Sequence, residues 1–72
     1  MPLSMLNKNK EAFIERVGGK SDTKRFLESL GFNNGSTVRI ISEINGNLIV
    51  NIKDARIAIS KEMANKIIVK EI

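Results

Sequence analysis

The side chains available for chemistry in this chain are carboxylates, amines, amides and hydroxyls, because the sequence contains neither histidine nor cysteine. A Ser-His triad, a thiolate nucleophile and a cysteine-based zinc or iron–sulfur site are therefore excluded. Glu11 and Glu15 are two carboxylates on one predicted strand, where they share a face with a residue between them. No further group is predicted to converge on them, so the sequence predicts that the chain is not an enzyme.

The acidic residues do not form a metal-binding pattern either. Transition metals in proteins are bound mainly through histidine and cysteine, often together with carboxylates, and an all-oxygen site needs several acids in one place. Five of the other acids are spread over several predicted elements: Asp22, Glu28, Glu43, Asp54 and Glu62. We therefore expect no metal site and no bound cofactor.

The chain is basic, with 12 lysines and arginines against 8 acids and a net charge of +4. Such a charge can indicate nucleic acid, a membrane surface or an acidic protein as partner. The basic residues are scattered, however, and no block of like charges occurs. Phe13, Phe26 and Phe32 are all predicted to lie in the core, which would leave no aromatic ring to stack on bases. Nucleic-acid binding is therefore an alternative interpretation and not the leading one.

The apolar residues are mostly aliphatic and β-branched, with eleven isoleucines and four valines among 72 residues. These residues favour strands, and the length allows a single domain, which we place at residues 1–72. No segment is apolar over the length that spans a membrane, and the first residues lack a signal-peptide pattern. A cysteine-free, lysine-rich composition suits a reducing compartment, so we expect a cytoplasmic protein.

The elements that must position any functional side chain begin with a strand over residues 11–17. Its alternation predicts that Phe13, Glu15 and Val17 share one face, and Asn9 before it suits a left-handed turn. Ser21-Asp22 is predicted to begin a helix, because both side chains can accept hydrogen bonds from its first N–H groups. The predicted helix spans residues 22–30, and its apolar face consists of Thr23, Phe26, Leu27 and Leu30. Gly31 is predicted to end it, with Phe32 folding back on the last turn.

The second half of the chain is predicted to be a meander of strands. Residues 37–44 form a strand with Val38, Ile40 and Ile44 on one face, and Asn45-Gly46 matches a type I′ hairpin turn. The remaining predicted elements are a strand at 47–53 with Leu48, Val50 and Ile52 inward, a turn at Asp54-Ala55, a strand at 56–59, a helical turn at 61–65 capped by Ser60, and a last strand at 66–71. The fold predicted is mainly β, a small bent antiparallel barrel of about five strands with one inserted helix and one short helical turn.

Four segments resemble the FeoA family, the small cytoplasmic component of bacterial ferrous-iron uptake systems. Pro2-Leu3-Ser4-Met5-Leu6 is similar to the family's Leu-Ser-x-Leu start, and residues 25–32 resemble its helix ending in Arg-Leu-x-x-Met-Gly-Phe. Residues 34–38 stand where the family has Pro-Gly-x-x-Val, and residues 56–64 resemble Ile-Ala-Leu-Arg-x-x-Glu-Ala. The resemblance implies an SH3-like barrel.

The resemblance also implies a function in protein–protein interaction. It implies an adaptor that acts on the cytoplasmic part of a FeoB-type permease, a membrane protein with a GTP-binding domain. The implied contact is the helix and its flanks: Lys24, Arg25, Glu28, Ser29, Asn33 and Asn34. A plain solvated helix face is the alternative for Lys24, Arg25 and Glu28. A second candidate surface is the Asn45-Gly46-Asn47 hairpin with Lys53, and an exposed edge strand could also host a peptide. A related barrel occurs in metal-dependent transcriptional repressors, which is an alternative within the same fold.

The lack of histidine and cysteine leads to a testable expectation about iron. The isolated monomer should bind no stoichiometric Fe²⁺ more tightly than about micromolar, because carboxylates spread over separate elements form no chelating set. Anaerobic calorimetric titration measures this directly. A one-to-one isotherm at submicromolar affinity would contradict the expectation.

Overall fold

The computed structural model describes residues 1–72, which form five β-strands, two α-helices and a 3-10 turn. In chain order these are a 3-10 turn at Leu3–Met5, β1 at Glu11–Val17, α1 at Ser21–Ser29, β2 at Thr37–Ile44, β3 at Asn47–Ile52, β4 at Ala55–Ser60, α2 at Lys61–Ala64 and β5 at Ile67–Glu71. This element order confirms the predicted mainly β fold with one inserted helix and one short helical turn.

All five strands belong to one antiparallel sheet in the order β4-β3-β2-β1-β5. The register shifts by one residue at two places, between Ile14 and Arg16 on β1 and between Ile40 and Ser42 on β2. An extra residue bends its strand and increases the local twist. These two bulges therefore help the sheet to curve around its core.

The core contains sixteen buried residues, all of them apolar. Members come from every strand and both helices: Leu3, Leu6, Ala12, Ile14, Val17, Leu27, Phe32, Val38, Ile40, Leu48, Val50, Ile52, Ile59, Ala64, Ile67 and Val69. No buried side-chain nitrogen or oxygen lacks a hydrogen-bond partner. Stability therefore rests on burial of aliphatic surface rather than on an internal polar network.

The end of α1 is a Schellman motif. Gly31 has φ +111° and donates its N–H to the carbonyl of Glu28 at 3.0 Å, and Phe32 donates to the carbonyl of Leu27 at 3.2 Å. Both Phe32 and Leu27 are fully buried, as the hydrophobic contact of this motif requires. The predicted helix end and the inward turn of Phe32 are confirmed.

The predicted start of α1 is wrong in its detail. Lys20 occupies the N-cap position and no side chain caps the helix, although Asp22 lies in the first turn, where the helix dipole favours an acid. The cap predicted at Ser60 is confirmed, because its hydroxyl accepts a hydrogen bond from the N–H of Met63 at 3.1 Å.

The turns occur where residues adopt the left-handed backbone conformation. Asn45 and Gly46 have φ +50° and +80°, as a type I′ hairpin requires, and Asn9 has φ +66°. The next turn is at Lys53-Asp54 instead of Asp54-Ala55, since Ile52 pairs with Ala55 across it. Lys53 itself adopts φ +54°, a region that costs a non-glycine residue energy.

Two phenylalanines predicted to lie in the core are exposed. On β1 the buried residues are Ala12 and Ile14, so Phe13 points outward with 45% of its surface accessible. Val17 is nevertheless buried, because the bulge shifts the inward phase of the strand by one residue. Phe26 is 48% exposed at the margin of α1, whose fully buried side chain is Leu27.

A bulge also explains why Ile44 on β2 is exposed. It was predicted to face inward with Val38 and Ile40, but it lies beyond the bulge on β2 and is exposed. Leu48, Val50 and Ile52 on the unbulged β3 are all buried, as predicted. A one-residue slip therefore accounts for each wrong strand assignment.

Substitution on the two sides of α1 should separate its buried and exposed faces. Leu27→Ala should lower the free energy of unfolding by about 2–4 kcal/mol, because Leu27 is fully buried. Phe26→Ala should cost less than about 1 kcal/mol, since the ring is half exposed. Urea denaturation measures both values. Equal losses in the two variants would contradict the observed face of the helix.

Candidate partner-binding site

The helix α1 attaches to the barrel along a narrow stripe and leaves most of its surface free. Leu27 is fully buried, whereas Thr23 and Leu30 are half-buried. At the C-terminal end, a Cβ on Gly31 would lie 3.6 Å from Cγ1 of Ile52, so this end of the helix lies directly over β3. The remaining side chains of α1 are exposed and available to a partner.

A groove of about 200 Å³ runs between α1 and β1. Its lining residues are Glu15, Arg16, Val17, Lys24, Glu28 and Asn34. The β1 bulge leaves both Glu15 and Arg16 exposed, where regular alternation would have turned one of them inward. Lys24 and Glu28 are four residues apart, so they share a face of the helix.

The charged groups of this groove form no ion pair within the chain. The two salt bridges of the molecule are elsewhere, Arg39 with Glu11 at 2.9 Å and Lys61 with Glu43 at 2.9 Å. The groove therefore presents two cationic and two anionic side chains to solvent. A complementary surface with both signs of charge could pair with all four.

The structure does not bring the six predicted contact residues into one cluster. Lys24, Glu28 and Asn34 line the groove, whereas Arg25 is exposed on the neighbouring face of the helix. Ser29 donates its hydroxyl to the carbonyl of Phe26 at 2.6 Å, and Asn33 is half-buried in the turn after the helix. The Ser29 hydroxyl thus has a local role at the end of α1, whereas the Asn33 side chain makes no hydrogen bond within the chain.

Phe26 is the residue of this surface that sequence reasoning missed. It was assigned to the core by its spacing, yet it is half exposed at the margin of α1. Exposed aromatic rings are enriched at protein interfaces and often anchor them. The exposure of Phe26 could have been predicted from the length and charge of the helix. A nine-residue helix with several charged positions can bury only a narrow stripe. We call Lys24, Arg25, Phe26, Glu28 and Asn34 the α1 surface.

The residues of the second predicted surface do not lie close together. The Asn45-Gly46-Asn47 turn precedes β3 and Lys53 follows it, so they lie at opposite ends of a six-residue strand. Such a strand is about 20 Å long. Lys53 instead lies beside Gly31, at the C-terminal end of α1.

No three Asp or Glu side chains come close enough together to hold a metal ion. No helix has the length and apolar character needed to cross a membrane.

Solved structures place the fold among known barrels. FeoA from Stenotrophomonas maltophilia, crystallised in complex with zinc and described as a prokaryotic SH3 domain protein, is 28% identical, with a TM-score of 0.86 over 97% of this chain and 89% of that one. The fold is therefore SH3-like, as predicted. A manganese-dependent transcriptional repressor has a TM-score of 0.90 at 18% identity, over 100% of this chain and 36% of the repressor. That likeness is one of fold alone.

Sequence comparison agrees with these structures. The model of the FeoA domain matches residues 1–71. A relative from Methanocaldococcus jannaschii, described as a putative Fe(2+) transport protein A, is 30% identical over 70 residues, which are 97% of this chain and 85% of that protein. The chain therefore belongs to the FeoA family, which is associated with ferrous iron transport.

Proposed function

We propose that this protein is an accessory factor of ferrous iron uptake that acts, without catalysis, by binding the cytoplasmic part of a FeoB-type GTP-binding permease. The observation that carries the proposal is the α1 surface, where the unpaired Lys24 and Glu28 line the groove on one side of the helix and the exposed ring of Phe26 lies on the other side. The S. maltophilia relative has been suggested to be a ferrous iron transport activating factor, which supports a role of this kind. Binding to such a permease would hold the protein at the inner face of the membrane.

The charges of the α1 surface contribute more beneath a bound partner than they do in water. In water, Lys24 and Glu28 gain little from nearby charges, because exposed pairs are screened and contribute at most about 1 kcal/mol. Beneath a partner the same groups lose water, so complementary charges become important for specificity and association rate. Phe26 adds apolar area that is only half covered in the free protein.

Nucleic-acid binding is a second candidate, because one argument against it fails. Phe13 is exposed on the outer face of the sheet, directly opposite Thr37 on one side and Lys70 on the other. An aromatic ring beside a cation on a sheet can stack on a base. A single ring forms a small platform, and Arg39 nearby is already paired with Glu11. The adaptor role is therefore preferred.

Charge reversal tests the contribution of the α1 cations. The double variant Lys24→Glu/Arg25→Glu should remain folded and should lose co-purification with the permease, because like charges would oppose one another across the interface. Wild-type binding should also weaken with added salt, since exposed charges are screened over about 8–10 Å at physiological ionic strength.

The matched control for this experiment is Lys8→Glu/Lys10→Glu, which changes the net charge equally at exposed positions before β1. Circular dichroism checks the fold of each variant. Equal co-purification of the folded α1 variant and wild type would exclude the α1 cations from the contact. If wild type does not co-purify but binds RNA tightly on a filter, nucleic-acid binding replaces the adaptor role.

Aromatic truncation tests the anchor. Phe26→Ala should weaken binding to the permease more than tenfold, as is usual for a central aromatic anchor. Phe13→Ala removes a ring of similar exposure from β1, outside the helix, and should leave the affinity unchanged. Surface plasmon resonance with the purified permease measures both. Equal losses for the two variants would contradict a specific role of Phe26 as the anchor.

A further inference from the structure

The two outer strands of the sheet differ in whether their edges are covered. Beyond β5, Met1 donates its N–H to the carbonyl of Val69 at 2.9 Å and accepts from the N–H of Val69 at 2.7 Å, while Pro2 bridges to Ile68. Beyond β4 there is no strand and no such segment. The sheet therefore has one closed edge and one open edge.

The open edge carries unused backbone groups. The two-residue turn at 53–54 makes Ile52 and Ala55 the first hydrogen-bonded pair of the β3–β4 ladder. Pairs alternate along an antiparallel ladder, so the N–H and C=O groups of Arg56 and Ala58 point away from β3. Neither residue makes a backbone hydrogen bond outside the ladder, and both are exposed.

This edge lacks the devices that usually block strand addition. The β3–β4 ladder runs without a register shift from Asn47–Ser60 to Ile52–Ala55, whereas β1 and β2 both contain bulges. β4 contains no proline and one charged residue, Arg56. Edges of soluble proteins are commonly protected by prolines, bulges or several charges, so a regular open edge is the arrangement that accepts another strand.

The charge next to this edge indicates what would bind. Arg56 lies opposite Asn51, and Asn51 lies opposite Arg39, so these side chains form a row on the outer face of the sheet. Arg56 has no carboxylate partner, and β4 contains no acid. A strand added beside β4 would place its side chains next to Arg56, where an acidic residue is favoured and a basic residue is opposed.

We propose that β4 accepts an extended acidic segment of a partner protein as a sixth strand of the sheet. Backbone hydrogen bonds to Arg56 and Ala58 would supply affinity, and the Arg56 guanidinium would select an acidic side chain. This surface is separate from the α1 surface, and the inference does not depend on the identity of the partner bound there.

Amide hydrogen exchange of the full-length, ¹⁵N-labelled protein tests the proposal. The probe is a capped eight-residue peptide in which valine alternates with threonine or glutamate. With the peptide at roughly ten times its Kd, exchange of the Arg56 and Ala58 amides should slow about tenfold. The amide of Ile57, which already faces β3, should change little.

Three variants and two peptides separate backbone pairing from charge. Ala58→Pro removes an edge N–H that the fold does not use and should abolish binding. Arg56→Glu should weaken binding about fivefold, whereas Lys20→Glu, an equal charge change at the start of α1, should not. A lysine-for-glutamate peptide should bind more weakly, and a fully N-methylated peptide should not bind.

Three results would overturn the proposal. One is unchanged exchange at Arg56 and Ala58 while the peptide shifts resonances elsewhere. Another is equal affinity for the glutamate and lysine peptides. The third is protection of the same two amides in free protein that rises with protein concentration, because a second copy of the chain would then occupy the edge.

Discussion

The whole structure depends on bending one short sheet until it encloses an apolar core. All sixteen buried residues are apolar, so closure of the sheet over them is the main source of stability. Two bulges, on β1 and β2, contribute the curvature. The same bulges determine the surface, because the β1 bulge turns Glu15 and Arg16 outward and thereby forms one wall of the groove beside α1.

Local signals predicted much of this fold. The period-two pattern of β3, the glycine that ends α1 and the Asn45-Gly46 hairpin all gave the observed structure, because each is determined by neighbouring residues. Phe13 and Ile44 were placed wrongly because each prediction extended an alternation across a bulge, and a bulge reverses every later assignment. Nothing in the local sequence marks the extra residue, since its position is set by pairing with a distant strand.

The candidate site was predictable only in part, for a related reason. Lys24 and Glu28 could be placed together from helical spacing alone. Their proximity to Arg16 and Asn34 depends on how α1 packs against β1, and that packing is a tertiary property. Phe26 shows the opposite error: its spacing fits a buried face, but a nine-residue helix that rests mainly on Leu27 cannot cover it.

The strand order also distributes chain entropy unevenly. β2, β3 and β4 pair through two-residue turns, whereas the β1–β5 ladder joins Val17 to Ile67, 50 residues further along the chain. The entropy lost on closing a loop grows with its length, so the meander forms at little cost and the β1–β5 ladder carries the largest single closure penalty. The segment that covers the far edge of β5 adds hydrogen bonds to this strand on the side away from β1. Extra hydrogen bonds therefore support β5, which pairs with the distant β1, whereas β4, which pairs with its neighbour β3, keeps a free edge.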